Sequence, residues 1–397
     1  MTGSTPVGKV LISGGGIAGL TLGILLYEKG WDTVIIERDP ALRTEGYMMD
    51  FFGTGWDVAE RIGIVNALRA IHYPIDYLKY VDRDGKSYFS TPISRVRKAL
   101  EGRYVYLRRS DLERILFERS VKIGLKVRFG TTIRALKDTG SKVQVAYDDG
   151  NVDEFALVFG ADGVHSRVRE LVFGPEDQFA RYLGYYVSAF HTSNKYGIGN
   201  AVILYEEPEH LTIFYPLDEK LMDATYIFRH PDIEYVPLTE RLPFVRKKFL
   251  EAGWISERVL LDLATSSPIF FDSLTQIAMP TWSKGRIALL GDACGCLSLI
   301  AGQGSHMAMA GAYVISHEFE RYSGDHGAAF SAYEEFLKPF IAKKQKEAAR
   351  LSWVFVPSRN SNVRLRHLTL RLLFSRPFMK WGLSSFGSRS VLKQYRN

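Results

Sequence analysis

The spacing of apolar residues changes character along this chain, and each change predicts a different layer of structure. Lys9-Val-Leu-Ile-Ser13 and Thr33-Val-Ile-Ile-Glu37 are short apolar runs on either side of a longer one, Leu20–Lys29. Short β-branched runs read as strands buried on both faces, and the longer run as a buried helix. A helix is predicted over Trp56–Ile64. Another is predicted over Tyr104–Gly124, entered by Val105-Tyr106-Leu107 and burying Leu112, Ile115, Leu116 and Val121 on one face. Val127–Phe129, Thr132–Leu136, Val143–Tyr147 and Phe155–Gly160 read as strands, with a turn at Asp148-Asp149-Gly150. From about Gly174 to Met279 the runs become aromatic and β-branched: Tyr185–Thr192, Ala201–Tyr205, Leu211–Pro216 and Ala224–Phe228. They predict an inserted antiparallel sheet with its own core. Long helices then follow over Gly304–Tyr322 and Ala328–Trp353. The expected architecture is α/β: a Rossmann-like domain of residues 1–173 and 280–327, a β-sheet domain of residues 174–279, and a C-terminal bridging helix and tail, 328–397.

Two glycine-rich turns sit at the ends of predicted strands. The first is Gly14-Gly15-Gly16-Ile17-Ala18-Gly19. Gly14 permits the tight turn off the strand, Gly16 lets backbone N–H groups approach a pyrophosphate, and Gly19 lets the helix lie close to the sheet. The helix start offers free amides and a positive dipole end, and Glu37 stands where an acid takes the ribose hydroxyls. The second turn is Gly291-Asp292-Ala293, followed by Ala301-Gly302-Gln303-Gly304 at the head of a helix. The first turn alone predicts a dinucleotide; the two together predict FAD. Between them, Arg109 opens a helix as a phosphate-forking cation or a salt-bridge partner. Asp162-Gly163 ends a buried strand before Ser166-Arg167-Val168-Arg169.

Composition adds one asymmetry. The formal net charge is +7, yet residues 338–397 hold 14 Lys and Arg against one acid, Glu347. The stripe Leu365, Leu368 and Leu372 beside Arg364, Arg366 and Arg371 predicts an amphipathic tail helix. It would fold back over the domains or touch an anionic membrane weakly. Aromatics in the tail sit among leucines, as in packing rather than base stacking, so no nucleic acid is expected. Cys294 and Cys296 are the only cysteines, so no disulfide framework or metal site is expected. Met1–Gly8 is too short and polar for a signal peptide, and no run nears the roughly 18 apolar residues of a membrane span. The location expected is cytoplasmic, the state a monomer or weak dimer.

The ordered set of Gly14, Gly16, Gly19 and Glu37, then Arg109, Asp162-Gly163 and Gly291-Asp292 resembles the para-hydroxybenzoate hydroxylase family of class A flavin monooxygenases, over residues 8 to about 335. In overall size the chain resembles the tetracycline-inactivating monooxygenases. The resemblance implies that Glu37 binds the adenosine ribose, with Arg38 beside it. It places Arg109 and Arg43 beside FAD, Asp162 near the pyrophosphate and the passage of the nicotinamide, and Asp292 on the ribityl hydroxyls. Gly302 and Gly304 would line the flavin edge. It implies NAD(P)H as a transient reductant, guided by Arg43, Arg109 and Arg167, and O2 as co-substrate. A flavin C4a-hydroperoxide would hydroxylate the substrate without a catalytic triad or dyad. Many relatives read Gly-Asp-Ala-Ala-His and then prolines; this chain has Cys294-Gly295 and Ser298-Leu299.

The aromatic sheet would roof the flavin over an aromatic or polycyclic substrate. His191, Tyr205, His210, Phe214, Tyr215, Phe228 and Arg229 lie on its strands, and alternation lets only half of them face the cavity. His191, Phe214, Phe228 and Arg229 are the candidate substrate contacts. Three other readings differ in chemistry. A flavin-dependent halogenase resembles chains with Trp-x-Trp, and no two tryptophans here are two apart. A flavin-dependent reductase would insert no oxygen. A non-catalytic flavin-binding or membrane-docking protein would turn nothing over.

Overall fold

A computed structural model of the chain describes residues 8–43, 46–71, 73–358 and 390–395. The predicted strand–helix–strand start is present as Lys9–Ser13, Ile17–Glu28 and Asp32–Ile36. These strands are the centre of a six-stranded sheet. Its order runs Ser283–Lys284, Ile287–Leu289, Leu157–Gly160, Lys9–Ser13, Asp32–Ile36, Lys126–Arg128, and every pairing is parallel except the Ser283–Lys284 edge. Val10, Leu11, Ile12, Ile35 and Val158 lose all contact with solvent, as strands covered on both faces must. Pairing of Ile287–Leu289 with Leu157–Gly160 returns the late chain to the early one. That topology sets the two glycine turns side by side.

The second sheet has seven strands, in the order Phe270–Ile277, Ala180–Ser193, Leu221–Arg229, His210–Pro216, Ala201–Glu207, Tyr77–Val81, Ser87–Pro92. Two features correct the sequence expectation. Tyr77–Val81 and Ser87–Pro92 lie outside residues 174–279 yet belong to this sheet, and Ala201–Glu207 pairs with Tyr77–Val81 in parallel. Ser87–Pro92 is the sheet's edge and Tyr77–Val81 its neighbour; both are half polar, and Lys79 and Ser90 blur the alternation that marks a strand. A third correction concerns the helix predicted from Tyr104. Tyr104–Arg108 is a strand paired antiparallel with Met48–Phe52, and the helix runs over Arg109–Ile123, ended by Gly124 in the left-handed conformation.

Alternation divides the large sheet cleanly. Tyr186, Phe190, Phe214, Tyr226 and Phe228 point to its back, under helices Arg241–Lys248 and Ser256–Asp262. Tyr185, Val187, Leu204, Leu211 and Ile227 point to its front, against Met48, Phe52, Tyr104 and Tyr106 of the two-stranded ribbon.

The long helix, His326–Phe355, joins the two units. The buried Gln345 amide donates to the carbonyls of Ile277 (2.7 Å) and Cys296 (2.9 Å). At the far end, Arg229 donates to the Val356 carbonyl at 2.9 Å, Glu209 N–H to Pro357 at 2.7 Å, and the Tyr185 hydroxyl to Ser352. The stripe at Leu365, Leu368 and Leu372 lies outside the described residues. Ser390–Tyr395 docks on the nucleotide unit, with Val391 N–H on Thr54 (3.1 Å) and the Tyr395 hydroxyl on Glu318 (2.6 Å). Among the described residues no helix is long and apolar enough to cross a membrane.

Candidate active site

The first turn is an open cradle. A Cβ on Gly14 would lie 2.3 Å from the Ala161 carbonyl oxygen, and one on Gly19 only 1.9 Å from that of Gly14. Both glycines are there for close backbone packing. Around Gly16 the nearest atoms are side-chain tips, Glu113 at 3.3 Å and Arg109 at 3.8 Å. The helix Ile17–Glu28 starts at Gly16 with no side-chain cap and no acid in its first turn, so its leading amides face the cradle. Glu37 closes one side, accepting from the N–H groups of Gly15 (2.7 Å) and Asp39 (3.0 Å).

The second turn meets the first. A Cβ on Gly291 would come within 3.0 Å of the Ala18 methyl, and one on Gly304 within 3.7 Å of the Asp292 carboxylate. Gly302 takes a left-handed conformation, and the helix Gly304–Arg321 also begins without a side-chain cap. Arg109 stands between the turns, paired with the buried Glu113 at 2.9 Å. Glu113 first, then Tyr47, Asp292 and Glu37, hold its guanidinium above the ordinary value against the pull of burial. Acids of both turns thus bear on one arginine. Burial pushes the Asp292 carboxyl up, with Arg109 opposing. A groove with two uncapped helix starts, one central cation and an acid at each end fits a dinucleotide carrying a ribityl chain.

A profile of the FAD binding domain family matches residues 8–327. A flavin-dependent monooxygenase from an unknown prokaryotic organism is 32% identical over 359 residues, covering 88% of this chain and 90% of that one. The chain belongs to this family of FAD-dependent monooxygenases. Among solved structures, tetracycline destructase Tet(55) superposes with a TM-score of 0.81 at 28% identity, over 96% of this chain and 98% of the other. Klebsiella pneumoniae HpxO, complexed with FAD and uric acid, shares the fold: its TM-score is 0.79 at 20% identity, over 96% and 97% of the two chains. This flavoenzyme binds FAD.

Other predicted cofactor residues have different neighbours. The Asp162 backbone abuts Gly14, while its carboxylate accepts from the Ser166 hydroxyl and from Val168 N–H at 3.0 Å, fixing the start of helix Arg167–Phe173. Arg43 pairs with Asp39 at 2.5 Å and Arg167 with Glu170 at 2.6 Å; Arg38 is more than half exposed beside Asp39. Of the three arginines expected to guide a reductant, Arg109 alone stands between the turns. Cys294 and Cys296 are both buried, and burial pushes the Cys294 thiol up to about 12. The departures around them are built in: Ser298 takes φ 70°, Leu299–Ala301 forms a 3-10 turn, and Gln345 pins the loop through Cys296.

Beyond the cradle, the ribbon and the large sheet face each other as two walls. Tyr47 spans them at one end, its ring 5.7 Å from Phe270 and edge-on; burial pushes its phenol up to about 12. Two of the four candidate substrate contacts are corrected here. Phe214 and Phe228 are on the back of the sheet, packed on Trp254, Phe244 and Phe249, because even-numbered positions of their strands point away from the ribbon. Arg229 is on the front but holds the end of the long helix and stacks on Tyr185. His191 is on the front, 3.4 Å from Asp223. Sequence reading missed Glu113, Tyr47, Asp50 and Asp223. Glu113 was visible as an acid one helical turn after Arg109. Asp223 was visible as a lone acid in an apolar strand. Tyr47 and Asp50 carried no such mark.

Proposed function

We propose that this flavoenzyme uses NAD(P)H and O2 to hydroxylate an aromatic or polycyclic small molecule held between the two walls. The carrying observation is the position of the front face. It packs Tyr215 against Tyr106 of the ribbon, which also bonds Asp50, and places Tyr47 against Phe270 within electrostatic reach of Arg109 and Asp292. Two largely apolar walls carrying a few polar groups suit a planar substrate. In this reading the free amides at Gly16–Gly19 hold the pyrophosphate of FAD, Glu37 the ribose, Arg109 the phosphate charge and Asp292 the ribityl hydroxyls. When bound and reduced, FAD would supply the oxygen chemistry. The chain's own work is to orient the substrate and keep water away, the walls doing both. The test is mass spectrometry of the product formed under labelled O2, alongside NADPH-dependent oxygen uptake. One labelled oxygen per product is expected. An unlabelled, reduced product would overturn hydroxylation.

A further inference from the structure

Tyr47 occupies the corner where the ribbon, the nucleotide groove and the large sheet meet. It precedes the strand Met48–Phe52, which sends Met48 and Phe52 to the front of the large sheet and Met49 and Phe51 to the nucleotide core. Period-two alternation gives Tyr47 the parity of Phe51, so its side chain leaves the ribbon on the groove side. Its carbonyl accepts the Arg109 N–H at 3.1 Å, which fixes it beside the arginine that stands between the two glycine turns. The Tyr47 ring meets Phe270, the first residue of an outer strand of the large sheet, edge-on at 5.7 Å. Groups from separate parts of the chain bear on its hydroxyl: Arg109 and Glu113 of one helix, Asp292 of the second turn, and Cys296 of the loop that Gln345 pins.

Arg109, Asp292 and the Cys296 loop line the groove assigned to FAD, and the Tyr47 phenol stands among them. No hydrogen bond to a described residue ties the phenol down, and the side chain keeps accessible surface, so a bound cofactor can reach it. Resting on the reading of this groove as the FAD site, we propose that Tyr47 is a flavin-contacting residue. Its phenol lies against bound FAD and forms the partition between the cofactor and the wall that begins at Phe270. Held through its backbone by Arg109 and through its ring by Phe270, the side chain is in place before the cofactor arrives, so the contact costs little ordering. A protonated phenol adds no charge beside Arg109 and offers one hydrogen-bond donor to a cofactor oxygen or nitrogen.

The experiment uses the FAD-loaded protein and reads the fluorescence lifetime of the flavin, with free FMN as reference. A phenol in contact with an excited flavin quenches it: one electron passes from phenol to flavin and then returns. A phenyl ring of the same shape does not. The unaltered protein is expected to emit weakly, with a lifetime far below that of free FMN. Tyr47→Phe should lengthen the lifetime severalfold with FAD still bound and the melting temperature unchanged, a response that a purely packing role would not give. Tyr47→Trp, which restores an electron-donating ring, should keep it short. A lifetime like that of free FMN in the unaltered protein overturns the proposal before any variant is made. So does a Tyr47→Phe lifetime equal to that of the unaltered protein. Either result, with flavin lost from Asp292→Ala, leaves the groove standing; full flavin in Asp292→Ala counts against the groove itself, and with it this inference.

Discussion

At the scale of single residues, the groove depends on atoms that have no substitute. Asp292→Ala should give protein with little flavin, because the buried carboxylate that Arg109 faces is gone; the check is the flavin-to-protein absorbance ratio after purification. Full occupancy would remove Asp292 from the site. Gly19→Ala should fail more broadly, since its methyl would sit 1.9 Å from the Gly14 carbonyl oxygen and push the helix off the sheet. Soluble, flavin-loaded Gly19→Ala protein would show that the turn has room it does not have in the structure. Two histidines give opposite pH dependences. His306 is buried, and burial lowers it to about 4 from an ordinary 6.5. Between those values the unfolded chain binds a proton that the folded one refuses. Stability should therefore fall as pH drops from 6.5 towards 4, by at most about 3 kcal/mol. His306→Gln should flatten that slope in denaturant titrations across the same range. His165 is held up to about 9, first by Asp272 and then by Glu176. Its contribution is complete below 6.5 and is lost as pH rises through 9.

At the scale of elements, the front and back of the large sheet do different work, and mutants should separate them. Phe214→Ala and Phe228→Ala empty the back core beneath helices Arg241–Lys248 and Ser256–Asp262. Each should cost about 3–5 kcal/mol in stability. Neither should abolish the flavin's spectral response to substrate. Selective loss of substrate response at unchanged melting temperature would return those rings to the pocket. Gln345→Leu tests the bridge: the Ile277 carbonyl would lose its 2.7 Å donor in a buried setting, at about 2 kcal/mol. A drop in melting temperature is expected, together with weaker FAD retention, because the same amide anchors the Cys296 loop beside Asp292.

At the scale of the molecule, the chain closes on itself twice. Strand Ile287–Leu289 re-enters the first sheet, and Ser390–Tyr395 returns to rest on Thr54 and Glu318. Val391 and Leu392 are buried in the nucleotide core, with Tyr395 packed 5.0 Å from Phe336. Removing residues 390–397 should therefore lower the melting temperature whether or not a membrane is present. An unchanged melting temperature with lost sedimentation on anionic vesicles would make the end of the chain a membrane contact instead.

The glycine turns were legible because their physics is local. A tight turn, a close helix and free amides depend on neighbours within a few residues, so Gly14, Gly16, Gly19 and Glu37 announced the nucleotide groove unaided. The buried parallel strands were legible for the same reason. Which face of the large sheet each side chain takes was not. Phe214 and Tyr215 are consecutive in the chain and equally aromatic, and the period of two that sends them to opposite faces has no sign until a partner covers one face. The helices over residues 241–262 covered one side, the ribbon of Met48–Phe52 and Tyr104–Arg108 the other. Only that packing set Tyr215, Asp223 and His191 on the front and left Phe214 and Phe228 to the back core.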